Sequence, residues 1–186
     1  MKKILAIALC LMMVMSFAAV AETAEKTEIG SITVNGAFTL KAAVPEGYTI
    51  IPFDKDDFGG IWYIASEDLN QPFMSLTISF DEEYAEVGRL NDLSDEEIAA
   101  IVETFTSEYE VEVSYPETGL GTKLIQVVEV GEYTDFVDIF TIYQGYCVEF
   151  VLIGGASADA TLTQENIEKA IAFLTDLDFE PIEAVE

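Results

Sequence analysis

The stretch that decides the fold runs from residue 135 to residue 153 and reads DFVDIFTIYQGYCVEFVLI. β-branched and aromatic residues dominate both halves, and Gln144-Gly145 separates them. Two such runs joined by two residues indicate an antiparallel hairpin, because a parallel crossover needs a dozen residues or more. Phe136 and Phe140 alternate with other apolar residues, so both faces of the hairpin are apolar. A sheet of this kind needs cover on both sides.

Two amphipathic helices are predicted to provide that cover. Ser94 and Glu97 have the spacing of a capping box, which indicates the start of a helix. Its apolar residues recur at helical spacing: Ile98, Ile101, Val102, Phe105 and Tyr109. A second helix begins at Thr163 and buries Ile167, Ala170, Ile171 and Leu174. These stripes favour packing on a sheet over the alternative, a partner-binding groove along the first helix.

Further strands are expected on both sides of the first helix. The clearest is 73–80, where Met74, Leu76 and Ile78 alternate with polar residues. The other candidates are 38–44, 48–53, 61–64, 111–115 and 123–130. The order of four strands, helix, four strands, helix predicts an α+β fold. We expect an antiparallel sheet of about seven or eight strands, with two helices covering opposite faces in an α/β/α sandwich.

Composition excludes several classes of function. The 186 residues include 35 acidic and 8 basic side chains, a net charge of −27. Such a surface repels phosphate backbones and other copies of itself, so we expect no nucleic-acid partner and a monomer. The sequence contains no histidine. That excludes His-dependent catalytic triads and His-ligated zinc or haem.

The first 21 residues are typical of a bacterial signal peptide. Lys2 and Lys3 precede the apolar stretch 4–14, and Ala19 and Ala21 form a small-residue cleavage site. We therefore expect a secreted or extracytoplasmic protein that does not span the membrane once mature. The alternative is a membrane anchor, but 4–21 is barely long enough and no basic stop-transfer cluster follows it.

The intact mass of secreted material should begin at Glu22. Removal of Lys2 and Lys3 would leave 6 basic against 35 acidic residues, a net charge of −29. A mass that retains residues 1–21, or that carries lipid on Cys10, would contradict this cleavage. After the signal we expect a flexible lead-in over 22–34, a single domain over 35–180 and an acidic tail over 181–186.

Cleavage would leave Cys147 as the one cysteine, so no intramolecular disulfide can form. Its apolar neighbours favour a small buried hydrophobe. A catalytic thiolate would need a basic partner and partial exposure.

The acidic residues offer few specific sites. Asp54, Asp56 and Asp57 begin a loop that resembles a calcium-binding EF-hand, but Phe58 and Ala65 occupy two ligand positions. An acidic turn is the favoured interpretation, and we expect no metal and no cofactor.

Neighbouring acids also suggest a hydrolase. They occur at Asp81-Glu82-Glu83, at Asp95-Glu96-Glu97, and at Asp135 with Asp138. A carboxylate hydrolase needs two carboxyl groups that face each other across a cleft, one with a raised pKa. Adjacency among 35 acids says little about that arrangement.

Trp62 and Tyr63 are candidates for lining a ligand pocket, although period-two alternation places at least one of them in the core.

Several segments together resemble the PsbP-like α/β/α sandwich superfamily. They are 44–48 (VPEGY), 93–109, 117–119 (ETG), 136–153 and 162–179. The resemblance covers about residues 35–180 and rests on turn and core positions. The superfamily includes small exported bacterial proteins, an extrinsic photosystem subunit and a Ran-binding factor. It implies a non-enzymatic protein that docks on other proteins, and it carries over no functional residue.

Three functions follow in order of preference. The first is an exported, non-catalytic protein-interaction module whose partner is another protein. The second is a binder of a small ligand or cation at the cell envelope. The third is a carboxylate-based hydrolase.

Overall fold

A computed structural model describes residues 25–32, 38–55, 59–68, 70–106, 112–115, 121–130, 135–154 and 162–181. These residues form strands and helices in the order expected of an α+β chain. The strands are β1 Thr27–Ile32, β2 Phe38–Ala42, β3 Tyr48–Lys55, β4 Gly59–Ser66, β5 Phe73–Phe80, β6 Glu112–Ser114, β7 Ile125–Val130, β8 Asp135–Tyr143, β9 Tyr146–Ile153 and β10 Asp178–Pro181. The helices are α1 Asp95–Thr106 and α2 Gln164–Asp176.

The main sheet contains seven strands in the order β3-β4-β5-β9-β8-β7-β6, and every neighbouring pair is antiparallel. Its centre is the predicted hairpin of β8 and β9. Gln144 and Gly145 both have positive φ angles, 51° and 80°. Two such residues match the twist of the flanking strands in a two-residue turn. The predicted α+β class and antiparallel sheet are confirmed.

A second, three-stranded sheet with the order β1-β2-β10 was not predicted. β1 corrects the expected lead-in over 22–34, since Thr27–Ile32 pairs with β2. The register of β1 shifts between Glu28 and Gly30. The sequence of this strand therefore lacks a regular alternation of apolar and polar residues. β10 comes directly after α2 and pairs with the other side of β2.

Contact between Trp62 and Gly30 explains why β1 joins the core. Trp62 is 1% exposed, and its indole Nε1 donates a hydrogen bond to the carbonyl oxygen of Ile29 at 2.9 Å. A Cβ atom at Gly30 would lie 2.7 Å from Cζ2 of Trp62. Only glycine therefore lets the strand lie against the ring. This contact joins residues far apart in the sequence, and it makes Trp62 a core residue.

The face of the main sheet that carries Trp62, here the inner face, packs against α2 and the small sheet. Ring centroids of Phe150 from β9 and Phe173 from α2 lie 5.5 Å apart. The Thr163 hydroxyl accepts a hydrogen bond from the backbone amide of Asn166 and caps α2 as predicted.

The opposite face, here the outer face, packs against α1. Ile98 and Ile101 form a separate core cluster with Ile125, Val127 and Ile142. The helices thus cover opposite faces, as predicted. This cluster involves β7 and β8 at one side of the sheet, and it leaves out the outer-face side chains of β3, β4 and β5. Among the described residues, no helix is both long and apolar enough to cross a membrane.

Candidate functional site

The outer face carries three adjoining features beside the buried cluster under α1. They are a groove at one flank of α1, a pair of carboxyl groups on β8 and β9, and a row of aromatic rings on β3, β4 and β5. The register of the antiparallel strands places all three on one face.

The groove has a volume of about 520 Å³. One wall is the flank of α1 formed by Glu97, Ala100, Ile101 and Thr104, which recur at helical spacing. The opposite wall is the segment that follows β5. That wall and the floor contain Asp81, Glu83, Tyr84, Val87, Leu93, Phe140 and Cys147.

The turn between β8 and β9 positions the second wall. The backbone amide of Gly145 donates to the carbonyl oxygen of Val87 at 2.9 Å, and that of Gln144 donates to Gly88 at 2.8 Å. The amide of Asp81 donates in return to the carbonyl oxygen of Gly145 at 3.2 Å. The hairpin turn therefore holds the backbone of this wall in place.

The capping box of α1 positions the carboxylate of the first wall. Glu97 Oε2 accepts hydrogen bonds from the backbone amide of Ser94 at 2.7 Å and from its hydroxyl at 2.6 Å. The hydroxyl bond, followed by the amide bond, lowers the pKa of Glu97. The predicted capping box is confirmed. Its glutamate also brings a negative charge to the groove.

Two side chains inside the groove respond to its negative charge. Burial, and then the charges of Asp81, Glu149 and Glu83, raise the pKa of the Cys147 thiol to about 12. Burial, followed by the charge of Glu83, also raises the pKa of Tyr84. Cys147 is half-buried in the structure, whereas the sequence predicted a small buried hydrophobe. A thiol with this pKa is protonated at neutral pH and is a poor nucleophile.

Next to the groove, Asp138 and Glu149 form a carboxyl pair on neighbouring strands. Asp138 lies opposite Val151 and Glu149 lies opposite Phe140, so the two acids are diagonal neighbours. Burial raises the pKa of Asp138 to about 7, and the charge of Glu149 and a hydrogen bond with it act in the same direction. Oδ1 of Asp138 is enclosed and has no hydrogen-bond partner within the part of the chain that the structure describes.

The carboxyl pair is poorly suited to hydrolysis. Glycosidase carboxyl groups lie about 5 Å or more apart so that substrate or water fits between them. A hydrogen bond joins Asp138 and Glu149 directly. The pairing suggested by the sequence was Asp138 with Asp135, whereas the partner in the structure is Glu149. In the sequence, Glu149 could have been singled out because it is the one acid within the apolar run 146–153.

The third feature is an aromatic row on the outer face. Ring centroids lie 4.7 Å apart for Phe53 and Tyr63, and 5.1 Å apart for Tyr63 and Phe73. Phe53 is 64% exposed and Phe73 is 36% exposed, and Ile51, which pairs with Tyr63, is 48% exposed. β3 is one of the two edge strands of the main sheet, with Pro52 near its centre and a register shift between Pro52 and Asp54. The row thus begins at the sheet edge and runs across three strands.

The remaining sequence candidates do not form a site within the described residues. Asp54 belongs to β3 and is exposed, whereas Asp56 and Asp57 fall outside the described residues, as do Ala19, Ala21 and Tyr109. No group of three or more metal-binding side chains occurs in the described part of the chain. Asp81 and Glu83, predicted only as sequence neighbours, line the groove together with Glu97. The groove and the aromatic row were not predicted, because both depend on how distant elements pack.

Comparison with known proteins adds no functional assignment. The chain matches no family model and no curated protein.

Proposed function

We propose that this protein is an exported, non-catalytic interaction module that docks a basic surface of another protein on the aromatic row. The observation that carries the proposal is the contact series of Phe53, Tyr63 and Phe73 beside the exposed Ile51. Aromatic side chains are enriched at protein interfaces, where they supply large rigid contact areas. The PsbP-like resemblance points to the same class of function.

Charge complementarity supports a basic partner. Asp54 pairs with Ile61 at one end of the row, and the carboxyl pair lies beyond the other end, on β9 and β8, on the same face. The whole chain carries a net charge of −27, so an acidic partner would be repelled. Arginine and lysine side chains can also rest on exposed rings through cation–π contacts. We therefore expect a partner surface that combines basic and apolar side chains.

The chemistry of the outer face favours binding over catalysis. The acids that could act as a pair are joined by a hydrogen bond, and the thiol in the groove is protonated. Neither group is arranged to activate water or to attack a substrate.

Removing rings from the row should abolish docking. In a capture experiment from the extracytoplasmic fraction, the wild-type protein should retain a specific partner that the double variant Phe53→Ser, Phe73→Ser loses. Loss of the two exposed rings on either side of Tyr63 should weaken binding by about 30-fold or more. Calorimetry with the purified captured protein measures that change, and higher salt should weaken the wild-type complex.

Tyr115→Ser is the matched control, because Tyr115 is a 49% exposed aromatic residue that is not part of the row. It should bind the partner as tightly as the wild type does. The proposal is wrong if the double variant folds and still retains the partner, or if no protein is specifically retained by the wild type.

A further inference from the structure

We propose that the groove between α1 and the segment after β5 binds an organic cation, an ammonium or guanidinium group attached to an apolar body. This site is separate from the aromatic row. It shares no residue with Phe53, Tyr63 or Phe73, so the two proposals can fail independently.

The shape and lining of the groove suit an apolar body. Its volume of about 520 Å³ is in the range of sites for small organic ligands. Phe140 lies on the sheet at its floor, and Ile101, Leu93 and Val87 line its sides. Ala100 adds a small side chain that leaves space beside the helix.

The charged residues of the groove suit a cation. Asp81 and Glu83 lie on one wall and Glu97 on the other, and no lysine or arginine is among the described lining residues. Asp81 accepts a hydrogen bond from the backbone amide of Glu83 at 2.9 Å, which fixes its carboxylate. Glu97 is fixed by Ser94 in the same way. A cation bound here would meet oriented carboxylates from two sides.

Cys147 and Tyr84 line the same groove as these carboxylates. Burial first, and then the charges of nearby carboxylates, raise the pKa of both side chains. A positive group in the groove would offset that repulsion. Because apolar side chains occupy much of the lining, a cation with an apolar body fits better than a hydrated metal ion, which needs several oxygen ligands.

Amide chemical shifts during titration with hexylamine test the proposal. Hexylamine is protonated at pH 7, and hexanol and hexanoate supply the same apolar body without charge or with a negative charge. Saturable shifts should cluster at Ala100, Thr104, Phe140 and Cys147. Hexanol should bind at least about tenfold more weakly, and hexanoate more weakly still, because they lack the charge-assisted contact.

Two variants separate charge from shape. Glu83→Gln should weaken hexylamine binding about tenfold, whereas Glu103→Gln should not change it, since Glu103 is an exposed α1 residue that does not line the groove. Ala100→Leu keeps every charge and fills the groove, so it should abolish the clustered shifts. The double variant Phe53→Ser, Phe73→Ser should bind hexylamine as the wild type does.

Three results would overturn the proposal. One is equal binding of hexylamine and hexanol. Another is an unchanged affinity in Glu83→Gln or Ala100→Leu. The third is a set of weak, non-saturating shifts spread over the acidic surface, which would show diffuse ion attraction without a site.

Discussion

Replacing Trp62 by alanine should lower the free energy of unfolding by about 3–5 kcal/mol, the range for a large aromatic side chain removed from a packed core. Trp62 is 1% exposed and belongs to the inner-face cluster. Its loss would create a cavity and leave the carbonyl oxygen of Ile29 without its indole donor. Because β1 rests on the same ring through Gly30, the small sheet should loosen as well. Urea unfolding followed by far-ultraviolet circular dichroism measures the change.

Tyr63→Ala is the matched control, since Tyr63 is the next residue of β4 and lies on the other face. Its removal should cost about 1 kcal/mol, as expected for cross-strand ring contacts that stay partly exposed. Trp62→Phe keeps an aromatic ring but not the indole donor, so its cost should fall between the two. Equal losses for Trp62→Ala and Tyr63→Ala would contradict the packing of β1 over Trp62.

Asp138→Asn should make the protein more stable near pH 8 and flatten the pH dependence of its stability. Burial and the adjacent Glu149 raise the pKa of Asp138 to about 7, whereas an unfolded aspartate has a pKa of about 4. Between these values the folded state holds a proton that the unfolded state has lost. Wild-type stability therefore falls as the pH rises through this window and levels off above pH 7. The fall between pH 5 and pH 8 should be on the order of 2 kcal/mol.

The comparison should be made between pH 5 and pH 8. Glu97, whose pKa is lowered, contributes in the opposite sense, and its contribution is lost only as the pH falls through more acidic values. Glu103→Gln removes one exposed acid and should follow the wild-type curve. Parallel curves for Asp138→Asn and the wild type would show that the carboxyl pair does not hold the extra proton. Thermal or urea unfolding at several pH values provides the measurement.

Local signals were enough to predict much of the fold. Some signals depend only on residues a few positions away and can be recognised directly in the sequence. They are the two-residue turn at Gln144-Gly145 and the capping residues Ser94 and Thr163. β1 was missed because its place depends on Trp62, more than 30 residues away, and on a glycine that interrupts the strand pattern.

The candidate site was less predictable than the fold. Asp81 and Glu83 were visible as acids, but their position opposite Glu97 depends on the hairpin turn that binds the loop after β5. Glu149 meets Asp138 only through strand register, which a pattern of alternating residues does not determine. Phe53 and Phe73 are exposed on β3 and β5, whereas the described residues of α1 pack on β7 and β8.

Pro52 protects the strand that carries the exposed aromatic row against self-association. A free edge strand with hydrophobic side chains is a template on which further chains can add, the first step towards fibrils. Proline offers no amide hydrogen to an incoming strand, and the register shift after it bends the edge away from a regular ladder. The backbone of β3 is therefore a poor template for self-association. Recognition at this edge depends on side chains, and the rings can stay in water without nucleating aggregates.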